Sequence, residues 1–377
     1  MGVWAAVVER ITAQLAFFPP RPASYELVLE AGGALRLGCP AAEGSEGALA
    51  QCTPLRLATR PRPGGGGGTT LAALWIPHPR ARLTVLHSHG NAVDLGMMQH
   101  LLRQLSAILQ VNVLGYDYSG YGCSSGSVAV RNTLADVEAC WGYLTEERGI
   151  SPGDIILYGQ SLGSGPSAWL ASQQPEVGGL VLHSGLASGI RVLNPSIRWW
   201  PNWADIYPNF KLVRGIGCPT LIMHGTEDDV VHFNHGLKLY ECCRNPVAPL
   251  FAEGHNHHDL EQSPDYSECS RGAGRGERRG LTRADPFSQS RSSPTLSEGS
   301  EAEVAEEAIP VVVLFSSDAR TCHEPSPSRP FRARGGGLAS PRAPPARCRL
   351  RRARRAGALR ASSALRGAAG AVAEGVQ

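Results

Sequence analysis

Lysine is almost missing from this chain: of 36 basic residues only Lys211 and Lys238 are lysines. With 44 glycines and 28 prolines beside it, that bias is the mark of a GC-rich coding sequence rather than of a physical demand, and it carries no functional weight. Paired cysteine motifs are also missing. The ten cysteines include no Cys-x-x-Cys and one adjacent pair, Cys242 and Cys243, which excludes a zinc ribbon or a disulfide framework and fits reduced thiols in a cytoplasmic setting. No run reaches the roughly 18 apolar residues of a membrane-spanning helix. Near the N-terminus Glu9 and Arg10 break the apolar stretch that a secretory signal would need. The formal net charge of +3 over 377 residues is too small to argue globally for a nucleic-acid or membrane partner. A length of 377 residues admits one α/β catalytic unit of roughly 200 to 250 residues with extra segments.

What is present divides the chain into four parts. Over residues 3–18, Trp4, Val7, Val8, Ile11, Leu15 and Phe18 recur at three- and four-residue spacing, which predicts an amphipathic helix stopped by Pro19 and Pro20. It packs on the domain or lies in a membrane interface; its polar face has few cations for the latter. Residues 21–70, with five consecutive glycines from Gly64 to Gly68, read as loop with one early strand at "PLRLATR". From 71 to about 266 short apolar runs ("RLTVLHSHG", "VNVLGYDYSG", "DIILYGQS", "GGLVLHSG", "PTLIMHG", "APLFAEG") alternate with helical patterns. Strand, helix, strand in repetition predicts an α/β fold with a mostly parallel, doubly wound sheet, and runs without strict alternation fit strands covered on both faces. Residues 267–377 lose all periodicity and end with twelve arginines between Arg329 and Arg366. They read as a disordered tail, and without interleaved aromatics no nucleic-acid partner is expected.

Two Gly-x-Ser-x-Gly matches occur, "GCSSG" at 122–126 and "GQSLG" at 159–163. Only the second follows an apolar strand and opens a helix, as a nucleophile elbow must. Ser161 is therefore the expected nucleophile. A serine hydroxyl needs a base, and the base an orienting acid. Downstream, Glu227, Asp228 and Asp229 compete for the acid in a loop after "PTLIMHG", and His255, His257 and His258 for the base in a loop after "APLFAEG". With Asp259 the histidines could bind a metal adventitiously, but no second ligand group is evident, and no cofactor is expected. Backbone donors for an oxyanion are expected from Leu162, after the nucleophile, and from Asn91, after His89 and Gly90. A segment at about 185–216 containing Trp199, Trp200 and Trp203 reads as a small cap. If exposed, those tryptophans would favour an acyl chain or a membrane.

With "LAFFPPRPASYELV", "HSHGNAVDLG", "YDYSGYGCSSG", "ISPGDIILYGQSLGSGP", "LVLHSGLASGIRVL", "HGTEDDVVHFNHGLKLYE" and "HHDLE" in view, the chain resembles the α/β-hydrolase domain-containing protein 17 family, whose members are protein S-depalmitoylases. The resemblance implies an α/β-hydrolase fold over about residues 15–266. It selects Asp228, which falls where the family pattern Gly-Thr-x-Asp has its acid, and His257, two residues before Asp259. It implies an S-acylated protein or acyl ester as substrate, with peripheral membrane contact. An esterase, lipase or peptidase would use the same machinery, and an inactive binding module could keep the fold. Two segments depart from the family. Animal relatives carry an N-terminal cysteine cluster, whereas the first cysteine here is Cys39; and relatives continue past the histidine loop into a helix where this chain reads "PDYSECSRGAGRGERRG".

Overall fold

The computed structural model describes residues 16–30, 35–38, 52–61, 67–193, 205–263 and 266. The helix expected over 3–18 lies outside the described residues up to Ala16. Trp199, Trp200 and Trp203 lie outside them too, as does the tail from 267, which includes the unit Pro325–Gln377.

Among the described residues, β1 (Glu26–Leu29) and β2 (Leu35–Gly38) form an antiparallel hairpin. The central sheet consists of β3 (Thr53–Ala58), β4 (Thr70–Ile76), β5 (Thr84–Ser88), β6 (Asn112–Tyr116), β7 (Ile155–Gln160), β8 (Gly179–His183), β9 (Thr220–Gly225) and β10 (Leu250–Ala252). Their order is β10-β9-β8-β7-β5-β6-β4-β3. Strand β4 is reversed, pairing antiparallel with β3 and β6, and the other neighbours are parallel. The chain leaves β5 for β6 on one side and returns to β7 on the other. That reversal opens a crevice at the C-terminal ends of β5 and β7, the usual ligand position in an open α/β sheet.

The early strand expected at "PLRLATR" is β3, which pairs with β4 over six residues, Thr53 to Ala58; the hairpin of β1 and β2 was not expected, "LRLG" being too short to stand out amid glycine and proline. Phe17 and Tyr25 are buried in the core.

Helices cover both faces. On one lies α1 (Leu95–Leu109), burying Leu95, Met98, Leu102 and Leu109 at helical spacing against Val113, Ile156 and Val181. On the other lie α2 (Val130–Gly142), which continues into a π turn Tyr143–Glu147, and α3 (Ser164–Gln173), packed with Leu86, Leu157 and Leu182. Consecutive residues of β7 enter opposite layers, Ile155 and Leu157 one, Ile156 and Tyr158 the other, and this is why its sequence is an unbroken apolar run. Short helices α4 (Gly189–Leu193) and α5 (Asn209–Leu212) stand before and after residues 194–204, which with part of the expected cap lie outside the described residues, and α6 (Asn234–Cys242) precedes β10. No helix among the described residues is long and apolar enough to cross a membrane.

Asp94 caps α1 by accepting from the Met97 amide at 3.2 Å and also from the Ser24 amide at 2.7 Å, so one carboxylate starts the helix and holds the upstream segment. Asp94→Ala is expected to cost about 1–2 kcal/mol, the usual range for a lost cap, read as a lower urea midpoint at unchanged slope.

Three buried histidines set the acid limit of the fold. His87 of β5 stacks on Tyr158 with ring centroids 4.9 Å apart, and the Tyr158 hydroxyl lies 2.8 Å from His183 Nδ1. Burial, with help from neighbouring histidine charge, holds His87 and His183 down at about 3 and His235 at about 4. In the unfolded chain each titrates near 6.5. Below that value the unfolded chain binds protons that the folded one refuses, so the histidines' contribution to stability is full above about pH 6.5 and falls as pH drops toward 4. The Asp136 carboxyl, which burial pushes up to about 7, offsets one of the three in the same window. A urea midpoint that declines over this range, less steeply in His87→Gln, is expected; a midpoint flat from pH 7 to 4 would refute it.

Candidate active site

Ser161 stands at the turn between β7 and α3 with φ +49, a left-handed conformation that costs a non-glycine residue about 1 kcal/mol or more. Its flanking glycines make the turn feasible. A Cβ on Gly159 would lie 2.5 Å from the Gly163 carbonyl oxygen, and one on Gly163 would lie 2.0 Å from the Ser88 carbonyl oxygen. The glycines of "GCSSG" answer a different need. Gly122 and Gly126 have φ of +46 and +86, and the Ser124 hydroxyl donates to the Asp117 carbonyl and accepts from the Ala72 amide. That motif is a loop that ties β4 to the turn after β6.

The structure brings Ser161, His257 and Asp228 together. His257 Nε2 is 3.1 Å from Ser161 Oγ, and His257 Nδ1 is 2.7 Å from Asp228 Oδ2. All three residues are buried. Of the competitors, Glu227, Asp229 and His258 are exposed, and His255 pairs with Asp259 through Nδ1 at 3.3 Å. Geometry sets the tautomer: Nδ1 carries the proton that Asp228 accepts, which leaves the Nε2 lone pair facing the serine hydroxyl.

Asp228 is held from both sides. Its Oδ1 accepts from the Val230 and Val231 amides at 3.0 and 2.6 Å. Near Oδ2 stands a second imidazole, His224 Nε2, at 3.3 Å, which also lies 2.6 Å from the Val231 carbonyl oxygen. Burial alone would raise the Asp228 pKa, but the hydrogen bonds from His224 and His257 outweigh it and hold the carboxyl well below the ordinary range. A buried, permanently ionised carboxylate is what an imidazole must face if it is to become positive during a reaction. Sequence reasoning missed His224, although a histidine in the buried apolar run "PTLIMHG" demands a polar partner and could have been found on that ground.

The loop after β5 meets the elbow: a Cβ on Gly90 would rest 3.8 Å from Ser161 Cβ and 4.0 Å from the Gln160 carbonyl oxygen. Residues just after 204 anchor beside the elbow: Tyr207 packs so closely that a Cβ on Gly165 would meet its ring at 2.2 Å, and Asn209 Nδ2 donates to Ser164 Oγ at 3.2 Å.

A model of the α/β-hydrolase fold matches residues 84–211. The chain is 40% identical over 266 residues to human α/β-hydrolase domain-containing protein 17B, covering 69% of this chain and 88% of that protein. It belongs to that family. It is likewise 42% identical over 259 residues to the α/β-hydrolase domain-containing protein aho-3 of Caenorhabditis elegans, covering 68% of this chain and 76% of the relative. An esterase of Pyrococcus furiosus superposes with a TM-score of 0.47 at 18% identity, over 58% of this chain and 88% of its own, too distant to bear on the chemistry. The coarse class follows from the family: a hydrolase of α/β fold.

Loss of the second imidazole tests its hold on the carboxylate. His224→Phe is expected to slow reaction at Ser161 with an activated ester about 10- to 100-fold, the equivalent of one hydrogen bond to a charged group. A rate within twofold of wild type would show that His224 only fills space.

Proposed function

We propose that the chain is a serine acyl-hydrolase that cleaves acyl thioesters, with an S-acylated protein as substrate. The observation that carries the reading is the continuous chain of hydrogen bonds from Ser161 through His257 to Asp228.

In this reading Ser161 Oγ attacks the acyl carbonyl carbon while His257 Nε2 takes the hydroxyl proton, and Asp228 stabilises the imidazolium. The carbonyl oxygen becomes an anion that accepts from the Leu162 and Asn91 amides. The carbon–sulfur bond then breaks, His257 returns its proton to the departing thiolate, and an acyl-serine remains. Water, losing a proton to His257, attacks the acyl carbon, the Ser161 C–O bond breaks with proton return, and a fatty acid leaves. A thiolate departs readily at neutral pH because the parent thiol is a far stronger acid than an amine or alkanol. Thioesters therefore ask less of the general acid than peptides do. Membership of the family and its resemblance to protein depalmitoylases support the acyl thioester over other substrates of the same machinery.

Wild-type protein should be labelled covalently by a fluorophosphonate and Ser161→Ala should not. On matched acyl chains, turnover should rank thioester first, oxygen ester next and amide last. Equal labelling of the Ser161→Ala variant, or a preference for the amide, would defeat the proposal.

A further inference from the structure

The Asn91 side chain has a task separate from that of its backbone. Its carboxamide clasps the backbone of the segment before β1 as a neighbouring strand would: Nδ2 donates to the Ala16 carbonyl at 2.8 Å, and Oδ1 accepts from the Phe18 amide at 2.9 Å. The same Oδ1 accepts from the Tyr121 hydroxyl at 2.7 Å and from the Ala92 amide at 3.1 Å. The last bond matters for the backbone, because Ala92 sits at φ +57, a conformation alanine rarely adopts. A local side-chain acceptor is what holds such a turn. On the other side of Asn91, the Tyr118 hydroxyl donates to the His89 carbonyl at 2.6 Å. Between these two fixed points lies Gly90, where an added Cβ would rest 3.8 Å from Ser161 Cβ.

We propose that the Asn91 side chain is a positioning residue, which aims its own backbone amide at the developing oxyanion, and that the Ala16–Phe18 segment is part of the oxyanion loop because it completes the carboxamide's hydrogen bonds. Phe17, buried in the core cluster that also holds Tyr118 and Tyr121, anchors that segment. The carboxamide touches no reacting atom; it acts through the backbone it holds. The proposal rests on the serine-hydrolase reading above and adds to it a residue and a segment.

The test compares wild type with Asn91→Ala, Asn91→Asp and Phe17→Leu on an activated acyl ester. Kinetics are accompanied by the affinity for a trifluoromethyl ketone, whose serine adduct is tetrahedral, and for a non-cleavable acyl ether that mimics the ground state. The aspartate keeps the acceptors for Phe18, Tyr121 and Ala92 but turns the donor to Ala16 into a second, negatively charged acceptor. Its charge adds to the loss of the donor, and Phe17→Leu, which adds none, separates the two. Because removing an oxyanion donor outright costs about 100- to 1,000-fold in kcat, a misaimed donor should cost less: roughly 100-fold in Asn91→Ala and about 10-fold in Asn91→Asp. KM and acyl-ether affinity should stay near wild type while ketone affinity falls in step with kcat. Phe17→Leu, which leaves the loop intact, should lower kcat about threefold by loosening the segment, and it decides the matter if Asn91→Ala does not fold. Wild-type kcat in both Asn91→Asp and Phe17→Leu, or losses that strike ketone and ether alike, would overturn the proposal. A wild type that neither labels nor turns over the ester would overturn the hydrolase reading itself, and this inference with it.

Discussion

Two backbones in near contact hold the serine turn of this site. The chain leaving β5 passes the chain leaving β7 so closely that the carbonyl oxygens of Ser88 and His89 stand 2.0 and 2.8 Å from where a Cβ on Gly163 would be. Only a hydrogen fits there. Because it fits, α3 can start hard against the sheet and Ser161 can be held in its left-handed turn. The strain at Ser161 is offset by packing around it, since Leu162, Ala168 and Leu170 are buried on the sheet and the Ser164 hydroxyl closes the turn on the Ser161 carbonyl at 2.6 Å.

A second constraint is electrostatic. Burying a carboxylate is costly unless every lone pair is met, and Asp228 meets that condition with two backbone amides and two imidazoles. The two imidazoles differ in consequence. His224, wholly buried between Asp228 and the Val231 carbonyl, is fixed in one role, whereas His257 has its second nitrogen turned to the serine. Fixing one histidine leaves the other free to exchange a proton while the acid stays ionised.

Much of this was legible in the residues. Each apolar run from "RLTVLHSHG" to "APLFAEG" became a strand because a parallel strand covered on both faces has no polar side to disguise it. The elbow was legible because Gly159 and Gly163 flank a serine between strand and helix, while the serines of "GCSSG" bind only backbone. What stayed hidden depends on contacts far apart in sequence. The hairpin partner β2 is four residues long in glycine-rich surroundings, the His224 contact needs the fold of its own loop, and Asn91 meets residues 73 and 75 positions upstream, which no local spacing announces. The choice among Glu227, Asp228 and Asp229 was open in the residues alone; in the fold the middle one turns inward and its neighbours face solvent.

The triad also has an order in time. Serine and imidazole are 96 residues apart in sequence, and the imidazole arrives after the last strand of the sheet. A ribosome making this chain finishes the nucleophile well before it makes the base. Domains form as units while synthesis proceeds from the N-terminus, so the serine of a nascent molecule has neither an activating partner nor a completed sheet edge beside it until β10 and the loop beyond it have cleared the exit tunnel.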